Sequence, residues 1–246
     1  MISDMRTREV TDKLWVVYGV SGLTVTLIKI LLDSSSLLPI AISIGLTILI
    51  ALGFAQFNLF GGADAKALIC LALTTPLTPS SIHPILGYTY PYLPILVLLV
   101  AYVYSGLVIV WIIGKNFYRY AHTGKFGFCG DLRSVSWWKK VFATISGYLV
   151  SLDELKASIH LYPMERFTNE GGLVRRQFRF SLDVAEERPE LISNLEMFLR
   201  KHYPEADIRD FRFWATPGLP MLLFIFVGFI SSILLGDTIF GLLLRN

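Results

Sequence analysis

The chain has 246 residues, of which 54% are hydrophobic and only 17% are charged. This composition is typical of a membrane protein. The formal net charge of +3 is too small, and too mixed in sign, to indicate a nucleic-acid partner. The two cysteines, Cys70 and Cys129, are too few for a disulfide framework or a structural zinc site.

Charged residues are concentrated in one part of the chain. Residues 115–214 hold 16 of the 22 Lys and Arg residues and 13 of the 19 Asp and Glu residues. The sequence therefore predicts a membrane domain over residues 1–114 and a polar insertion over residues 115–214. A last transmembrane helix and a C-terminal tail are expected over residues 215–246.

Five apolar runs outside the insertion predict transmembrane helices, because a helix needs about 20 apolar residues to cross a bilayer. The first run follows a polar N-terminal segment, and the third is near the lower length limit. The runs cover residues 14–32, 37–60, 65–77, 93–113 and 219–235. The sequence thus predicts an α-helical polytopic membrane protein that spans a lipid bilayer several times.

Basic residues set the predicted orientation. Arg6, Arg8 and Lys13 place the N-terminus in the cytoplasm by the positive-inside rule, and each run then reverses the direction of the chain. The loops expected outside the cell membrane contain no Lys or Arg, in agreement with that rule. Asp4, Asp64 and the insertion are therefore all predicted on the cytoplasmic side.

The insertion is predicted to be a small α+β domain. Residues 134–155 have the pattern of an amphipathic helix lying at the membrane, with Trp137, Trp138 and Phe142 on its apolar side. A further helix is expected over residues 189–202 from its apolar spacing. Alternating apolar residues predict strands over residues 158–162, 173–182 and 208–214.

One short stretch, Gly61-Gly62-Ala63-Asp64-Ala65-Lys66, lies between two of the apolar runs. An ionisable residue at the mouth of a membrane helix is costly, so the default interpretation of Asp64 is functional. Two carboxylates at one membrane face can share a proton and hydrolyse a peptide bond by general acid/base catalysis. The alternative is that Asp4 and Asp64 are ordinary helix-end acids, with Asp64 as an N-cap. The residues alone leave both interpretations open.

Family resemblance favours the catalytic interpretation. The stretch 61–66 resembles the GxGD motif of the membrane aspartyl peptidases that process type IV prepilins, in particular the archaeal preflagellin peptidases. The segment Asp4-Met5-Arg6-Thr7-Arg8-Glu9-Val10 is similar to the one that carries the first aspartate in that family. Trp214, Thr216 and Pro217 before the last run also resemble the archaeal members.

The resemblance implies an archaeal membrane aspartyl endopeptidase with five to six transmembrane helices and no cofactor. Asp4 and Asp64 would be its catalytic pair. Its substrates would be preflagellin or prepilin-like proteins, which lose a short basic leader at the cytoplasmic face of the membrane. Gly61, Gly62 and Ala63 would support the motif or contact the substrate.

Two departures from the family pattern qualify this hypothesis. The third motif position is Ala63 rather than glycine, and we expect a small residue to be tolerated there. Family members also have a further helix before the first aspartate, so we expect the natural start to lie upstream of Met1. Lys66 is expected either to act on Asp64 or the substrate, or to extend to the membrane surface.

Two other classes of function stay open at this point. A non-catalytic membrane scaffold, or an inactive paralogue without the first helix, would have the same apolar runs. A small-solute transporter would need inverted repeats and polar residues at the middle of the membrane. The sequence contains no convincing repeat, which makes the transporter the more distant alternative.

Overall fold

The computed structural model describes residues 11–57, 61–80, 83–85, 90–128, 130–158, 160–170, 173–178, 188–202, 211–218 and 221–237. The α-helices in these ranges are α1 (Asp12–Leu32), α2 (Leu37–Gln56), α3 (Gly62–Thr74), α4 (Leu93–Thr123), α5 (Trp137–Ser146), α6 (Leu152–Ala157), α7 (Arg188–His202) and α8 (Met221–Leu235). The β-strands are β1 (Tyr148–Ser151), β2 (Leu161–Pro163), β3 (Glu165–Glu170), β4 (Leu173–Phe178) and β5 (Arg212–Pro217).

Among the described residues, three helical segments are long and apolar enough to cross a membrane, namely α1, residues 34–56 that include α2, and α4. The predicted polytopic helical fold is thereby confirmed. The third and fifth runs form α3 and α8, which have only 13 and 15 residues. α3 ends early because Thr75 precedes Pro76, and the residue before a proline avoids helical backbone. α8 ends before Gly236, whose φ of 68° is a common helix-terminating conformation.

Contacts divide the chain into two compact units. The first, called here the membrane unit, is Met1–Gly106 together with Pro220–Asn246; its described helices are α1, α2, α3, α8 and the first part of α4. The second, called the insertion unit, is Leu107–Leu219. It holds the rest of α4 and the elements from α5 to β5.

The short helix α3 packs against α1, α2 and α8 in the membrane unit. Four of its six buried residues have small side chains, namely Ala65, Ala67, Cys70 and Ala72, and the other two are Leu68 and Leu71. Small residues let neighbouring helices approach closely, which is the main source of packing energy between helices in lipid. A Cβ added to Gly22 of α1 would lie only 3.1 Å from the Cα atom of Thr74.

Hydroxyl groups also join these helices. Thr26 Oγ1 on α1 donates a hydrogen bond to the carbonyl of Leu73 at 2.7 Å. Ser43 Oγ on α2 donates to the carbonyl of Pro76 at 2.6 Å. The last carbonyls of a helix lack partners within the helix, and lipid offers them none. The two hydroxyls therefore hold the C-terminal end of α3, and the residues after it, between α1 and α2.

The insertion unit contains the predicted combination of helices and strands. β5 lies between β1 and β2 in an antiparallel sheet, with Leu149 opposite Trp214 and Tyr162 opposite Thr216. β3 and β4 form a separate antiparallel hairpin. The main core joins the sheet to α6 and α7 through Val150, Leu152, Leu155, Leu161, Ile192, Leu195, Leu199, Phe213 and Ala215.

The predicted amphipathic helix over residues 134–155 is wrong in extent, because α5 ends at Ser146 and β1 begins at Tyr148. The chain turns at Gly147, which lies against β5. An added Cβ at this position would be 2.7 Å from the carbonyl oxygen of Ala215. Glycine therefore allows the close approach that ends α5 and starts the sheet.

Two of the predicted strands are displaced by a few residues, whereas the strand expected over 173–182 begins at its predicted residue as β4 (Leu173–Phe178). The strand expected over 158–162 is observed as β2 at Leu161–Pro163, and the closing strand is β5 at Arg212–Pro217. The predicted stretches 179–182 and 208–210 lie outside the described residues. The helix expected over 189–202 is confirmed as α7.

A buried ion pair joins the hairpin to the sheet. The side chain of Glu165 is completely buried and that of Arg176 is 15% exposed. Arg176 donates to Glu165 Oε2 from Nε at 3.0 Å and from Nη2 at 2.7 Å, and the Trp214 amide donates to Oε1 at 2.8 Å. Burial raises the pKa of Glu165 above its ordinary value, while Arg176 and the Trp214 amide act in the opposite direction.

Candidate active site

Asp64 is the third residue of α3 and lies in its first turn, three positions after the N-cap residue Gly61. Its carboxylate oxygen Oδ2 accepts a hydrogen bond from the Gly61 amide at 3.1 Å, and the side chain is half-buried. The N-terminus of a helix favours negative charge, since its amides and its dipole point toward the anion. Both features stabilise an ionised carboxylate at the mouth of α3.

The glycine at position 61 has a local structural reason. A Cβ built on Gly61 would lie 3.1 Å from Asp64 Oδ2, a distance at which it would crowd the carboxylate. Gly62 is exposed, and a Cβ added there would contact nothing within 4 Å. The backbone beside Asp64 is therefore open on the Gly62 side, where another chain can approach.

Ala63, the position at which this sequence departs from GxGD, faces the protein. It is partly buried and packs against a cluster formed by Trp15, Ala67 and Cys70. Its methyl group therefore has apolar neighbours from α1 and α3. This packing gives a reason why a small side chain fits at the third motif position.

Lys66 pairs with Asp12, the first residue of α1, through Nζ and Oδ1. Both side chains are well exposed, at 47% and 79%, so the pair lies at the surface. It joins the first turn of α1 to the second turn of α3. The residues that follow the Asp4 segment are thus held beside the turn that carries Asp64.

Tyr102 of α4 lies near Asp64, which the sequence did not predict. Leu98, one turn earlier on α4, packs in a cluster with Leu68 of α3. Tyr102 is within electrostatic range of the Asp64 carboxylate, and its ring meets the edge of Phe54 at a centroid distance of 5.9 Å. The sequence did contain a signal for Tyr102, namely a phenol within an apolar run. A polar group at membrane depth usually has a role.

Asp4 lies outside the described residues, so the distance between the two predicted catalytic carboxylates stays a prediction. The described residues contain no group of three or more His, Cys, Asp and Glu side chains that could hold a metal ion. The described groups at this site are a half-buried carboxylate, an open backbone and two aromatic side chains. Such a set can bind an extended peptide and exchange protons with it.

Two family models match the chain. A model described as "Type IV leader peptidase family" matches residues 1–113, which include both predicted aspartates. A model described as "Archaeal Peptidase A24 C-terminus Type II" matches residues 139–238, from α5 to the end of α8. The chain belongs to the type IV leader peptidase family. Members of this family are aspartic-type peptidases, which confirms the predicted enzyme class and favours it over a scaffold or a transporter.

The substrates of this leader peptidase are of the prepilin or preflagellin type, as the family implies. The second family model covers most of the insertion and the last helix, and it includes Trp214, Thr216 and Pro217, which resemble the archaeal members. No curated protein matches the chain at a significant level. The identification therefore rests on the two family models together with the motif around Asp64.

Proposed function

We propose that the peptidase removes the basic leader of preflagellin or prepilin-like proteins at the cytoplasmic membrane face by two-aspartate acid/base hydrolysis. The observation that carries the proposal is the position of Asp64. Its carboxylate is half-buried at the N-terminus of α3, bonded to the Gly61 amide at 3.1 Å, and exposed backbone lies beside it. An apolar segment of the substrate would remain in the bilayer while its leader enters this opening.

Asp4 is the second member of the pair. Asp12 lies eight positions after Asp4 in the chain, and an extended chain spans at most about 3.6 Å per residue. Because Asp12 is paired with Lys66, two residues after Asp64, the N-terminal segment starts within reach of Asp64. This placement supports a shared site for the two carboxylates.

The two carboxylates would take different roles. Close negative charges raise the pKa of one acid, so that one is protonated while the other is ionised. The ionised carboxylate removes a proton from the attacking water, and the protonated one donates to the scissile carbonyl and then to the leaving amine. The helix N-terminus and the Gly61 amide favour charge on Asp64, so Asp64 is proposed as the base.

Leader cleavage in proteoliposomes tests this assignment. The full chain is reconstituted with a preflagellin substrate, and wild type is compared with Asp64→Asn, Asp4→Asn and Asp33→Asn. Asp33 is exposed at the other end of α1 and caps a short turn through Ser35, so its isosteric replacement is a matched control. We expect the first two variants to lose activity by about 10²–10⁴-fold and the control to retain it.

Two results would contradict the proposal. Cleavage by Asp64→Asn at the wild-type rate removes Asp64 from the chemistry. Failure of the folded wild type on prepilin-like substrates, with and without residues encoded upstream of Met1, would support an inactive paralogue. Elution of each variant at the wild-type volume in size-exclusion chromatography shows that loss of cleavage is not loss of fold.

A further inference from the structure

The exposed side of α5 is entirely apolar. Its five exposed residues follow one another at alternating spacings of one and three, so the pattern repeats every four residues and lies on one face of the helix. The opposite side faces the insertion unit, where Ala143 is fully buried and Lys140 Nζ donates to the carbonyl of Arg133. The exposed residues are Trp137, Trp138, Val141, Phe142 and Ile145.

An apolar groove lies between this face and α4. One wall is formed by Val108, Ile109 and Ile112 of α4, and the other by Phe142 and Ile145 of α5. The groove has a volume of about 230 Å³, below the roughly 300–1,000 Å³ of ordinary ligand pockets. It is narrow enough to suit a single hydrocarbon chain rather than a folded element.

Several features indicate what covers this face. α4 is one of the helices long and apolar enough to cross a membrane, so the groove is continuous with a candidate membrane span. Tryptophan and phenylalanine beside basic residues are typical of helices that lie in the membrane interface. Lys139 lies over the ring of Trp138, and Lys115 lies 3.6 Å from the ring centroid of Tyr148. Cations in these positions complement anionic lipid head groups.

We propose that α5 is a lipid-docking helix of the insertion unit, with its apolar face in the bilayer interface and an acyl chain in the groove beside α4. Lys115 and Lys139 meet anionic head groups at the edge of this face. The occupant is the bilayer itself. The inference is independent of the catalytic proposal, because it uses no residue of the Asp64 site.

Docking of α5 would fix the insertion unit relative to the membrane surface. Asn116 of α4 donates from Nδ2 to the carbonyls of Thr144 and Gly147 at 2.8 and 2.7 Å, which ties the end of α5 to α4. Thr216 Oγ1 of β5 donates to the carbonyl of Ser146 at 2.7 Å. β5 ends at Pro217, so the docked helix would also hold the strand that leads toward α8.

Site-directed spin labelling of the full chain in vesicles tests the proposal. A keto-functional phenylalanine analogue replaces Phe142 and is coupled to a nitroxide, which leaves the native cysteines in place. The matched control carries the same label at Met197 on α7, since Met197 is 62% exposed and Phe142 is 56% exposed. Label accessibility to oxygen and to a water-soluble nickel complex is measured in phosphatidylcholine vesicles with and without phosphatidylglycerol.

We expect the label at 142 to be several-fold less accessible to nickel than the label at 197, and more accessible to oxygen. Its depth should be about 5–10 Å, as for other interfacial helices, and protection should increase with phosphatidylglycerol. A label at Ile145, which lines the groove, gives a second reading if the first variant fails to fold. Protection that does not depend on the anionic lipid would remove the proposed role of the two lysines.

Three further results would overturn the proposal. Equal nickel accessibility at 142 and 197 would place α5 in water. Protection accompanied by spin–spin broadening that increases with protein density would identify a second copy of the chain as the occupant. Protection that occurs only after a preflagellin substrate is added would assign the face to substrate binding.

Discussion

Each of the two units of this peptidase is stabilised internally by a different kind of interaction. In the membrane unit, helices meet through small residues and through hydroxyls bonded to carbonyls, such as Thr26 to Leu73. In the insertion unit, large apolar side chains form the core and an ion pair between Glu165 and Arg176 is buried beside it. The difference follows from the solvent of each unit.

Lipid supplies no hydrophobic driving force between helices, so packing must come from close approach and hydrogen bonds. Water drives apolar side chains together strongly enough to bury a charged pair at some cost. The short helix α3 carries Asp64. It is held in place because small side chains allow the backbones of neighbouring helices to come close to it. The strand β5 is instead held by aromatic packing and by the bond from the Trp214 amide to Glu165.

The largest effect is expected where a buried charge loses its partner. Replacing Arg176 by methionine removes the guanidinium group and leaves the Glu165 carboxylate without its charged partner inside the insertion unit. We expect the free energy of unfolding to fall by about 3–5 kcal/mol. Hydrogen exchange at the amides of β5 in the full chain measures this loss. The matched control is Arg200→Met.

Arg200 pairs with Glu196 on the exposed side of α7, where its side chain is 68% exposed. Removing this surface pair should change the free energy of unfolding by less than about 1 kcal/mol. Similar losses in the Arg176 and Arg200 variants would show that burial does not distinguish the two pairs. The buried ion pair could then no longer be counted among the interactions that distinguish the insertion unit from the membrane unit.

The same network predicts a pH dependence. Burial raises the pKa of Glu165 above its ordinary value of 4.5, so the folded state binds this proton more tightly than the unfolded state. The associated stability is fully present below the ordinary value and is lost as pH rises through the folded pKa.

Without Arg176 the pKa of Glu165 rises further, because an attractive charge is gone. The difference in melting temperature between wild type and Arg176→Met should therefore narrow on acidification. Thermal melts from about pH 8 to pH 4 measure it. A difference in melting temperature that widens toward acid pH would contradict the upward shift assigned to the pKa of Glu165.

A smaller effect is expected from crowding the helices of the membrane unit. A Cβ on Gly228 of α8 would lie 2.7 Å from the carbonyl oxygen of Val97 on α4. Gly228→Ala should therefore destabilise the unit by about 1–3 kcal/mol, measured by thermal unfolding in detergent micelles.

Gly45→Ala is the control, because a Cβ at Gly45 of α2 would meet nothing within 4 Å. This variant should be neutral, or more stable by up to about 1 kcal/mol, since alanine favours helix over glycine. Equal destabilisation by the two substitutions would mean that close approach of α4 and α8 does not hold the unit together.

The smallest effect is expected at the surface pair between Lys66 and Asp12. Lys66→Gln removes an exposed salt bridge, so the free energy of unfolding should change by less than about 1 kcal/mol. The same thermal assay, at low and high salt, checks it, because screening should erase any difference. A loss of several kcal/mol that persists in high salt would show that the pair has a larger structural role.

The sequence by itself determined the membrane class, the order of apolar helices, the α+β character of the insertion and the two acidic motifs. These features depend on composition and on local spacing, which are readable along the chain. Asp64 was identified in this way because a charge at the mouth of an apolar run is costly wherever the run packs.

Tertiary structure alone decided the length of α5, the enclosure of α3 and the neighbours of Asp64. Gly147 ends α5 because β5 passes close to it, and Tyr102 approaches Asp64 because α4 packs against α3. The partner of Lys66 is 54 residues away, beyond any local pattern. Such contacts depend on how separate helices and strands approach one another. The spacing of apolar residues along the chain does not determine those distances.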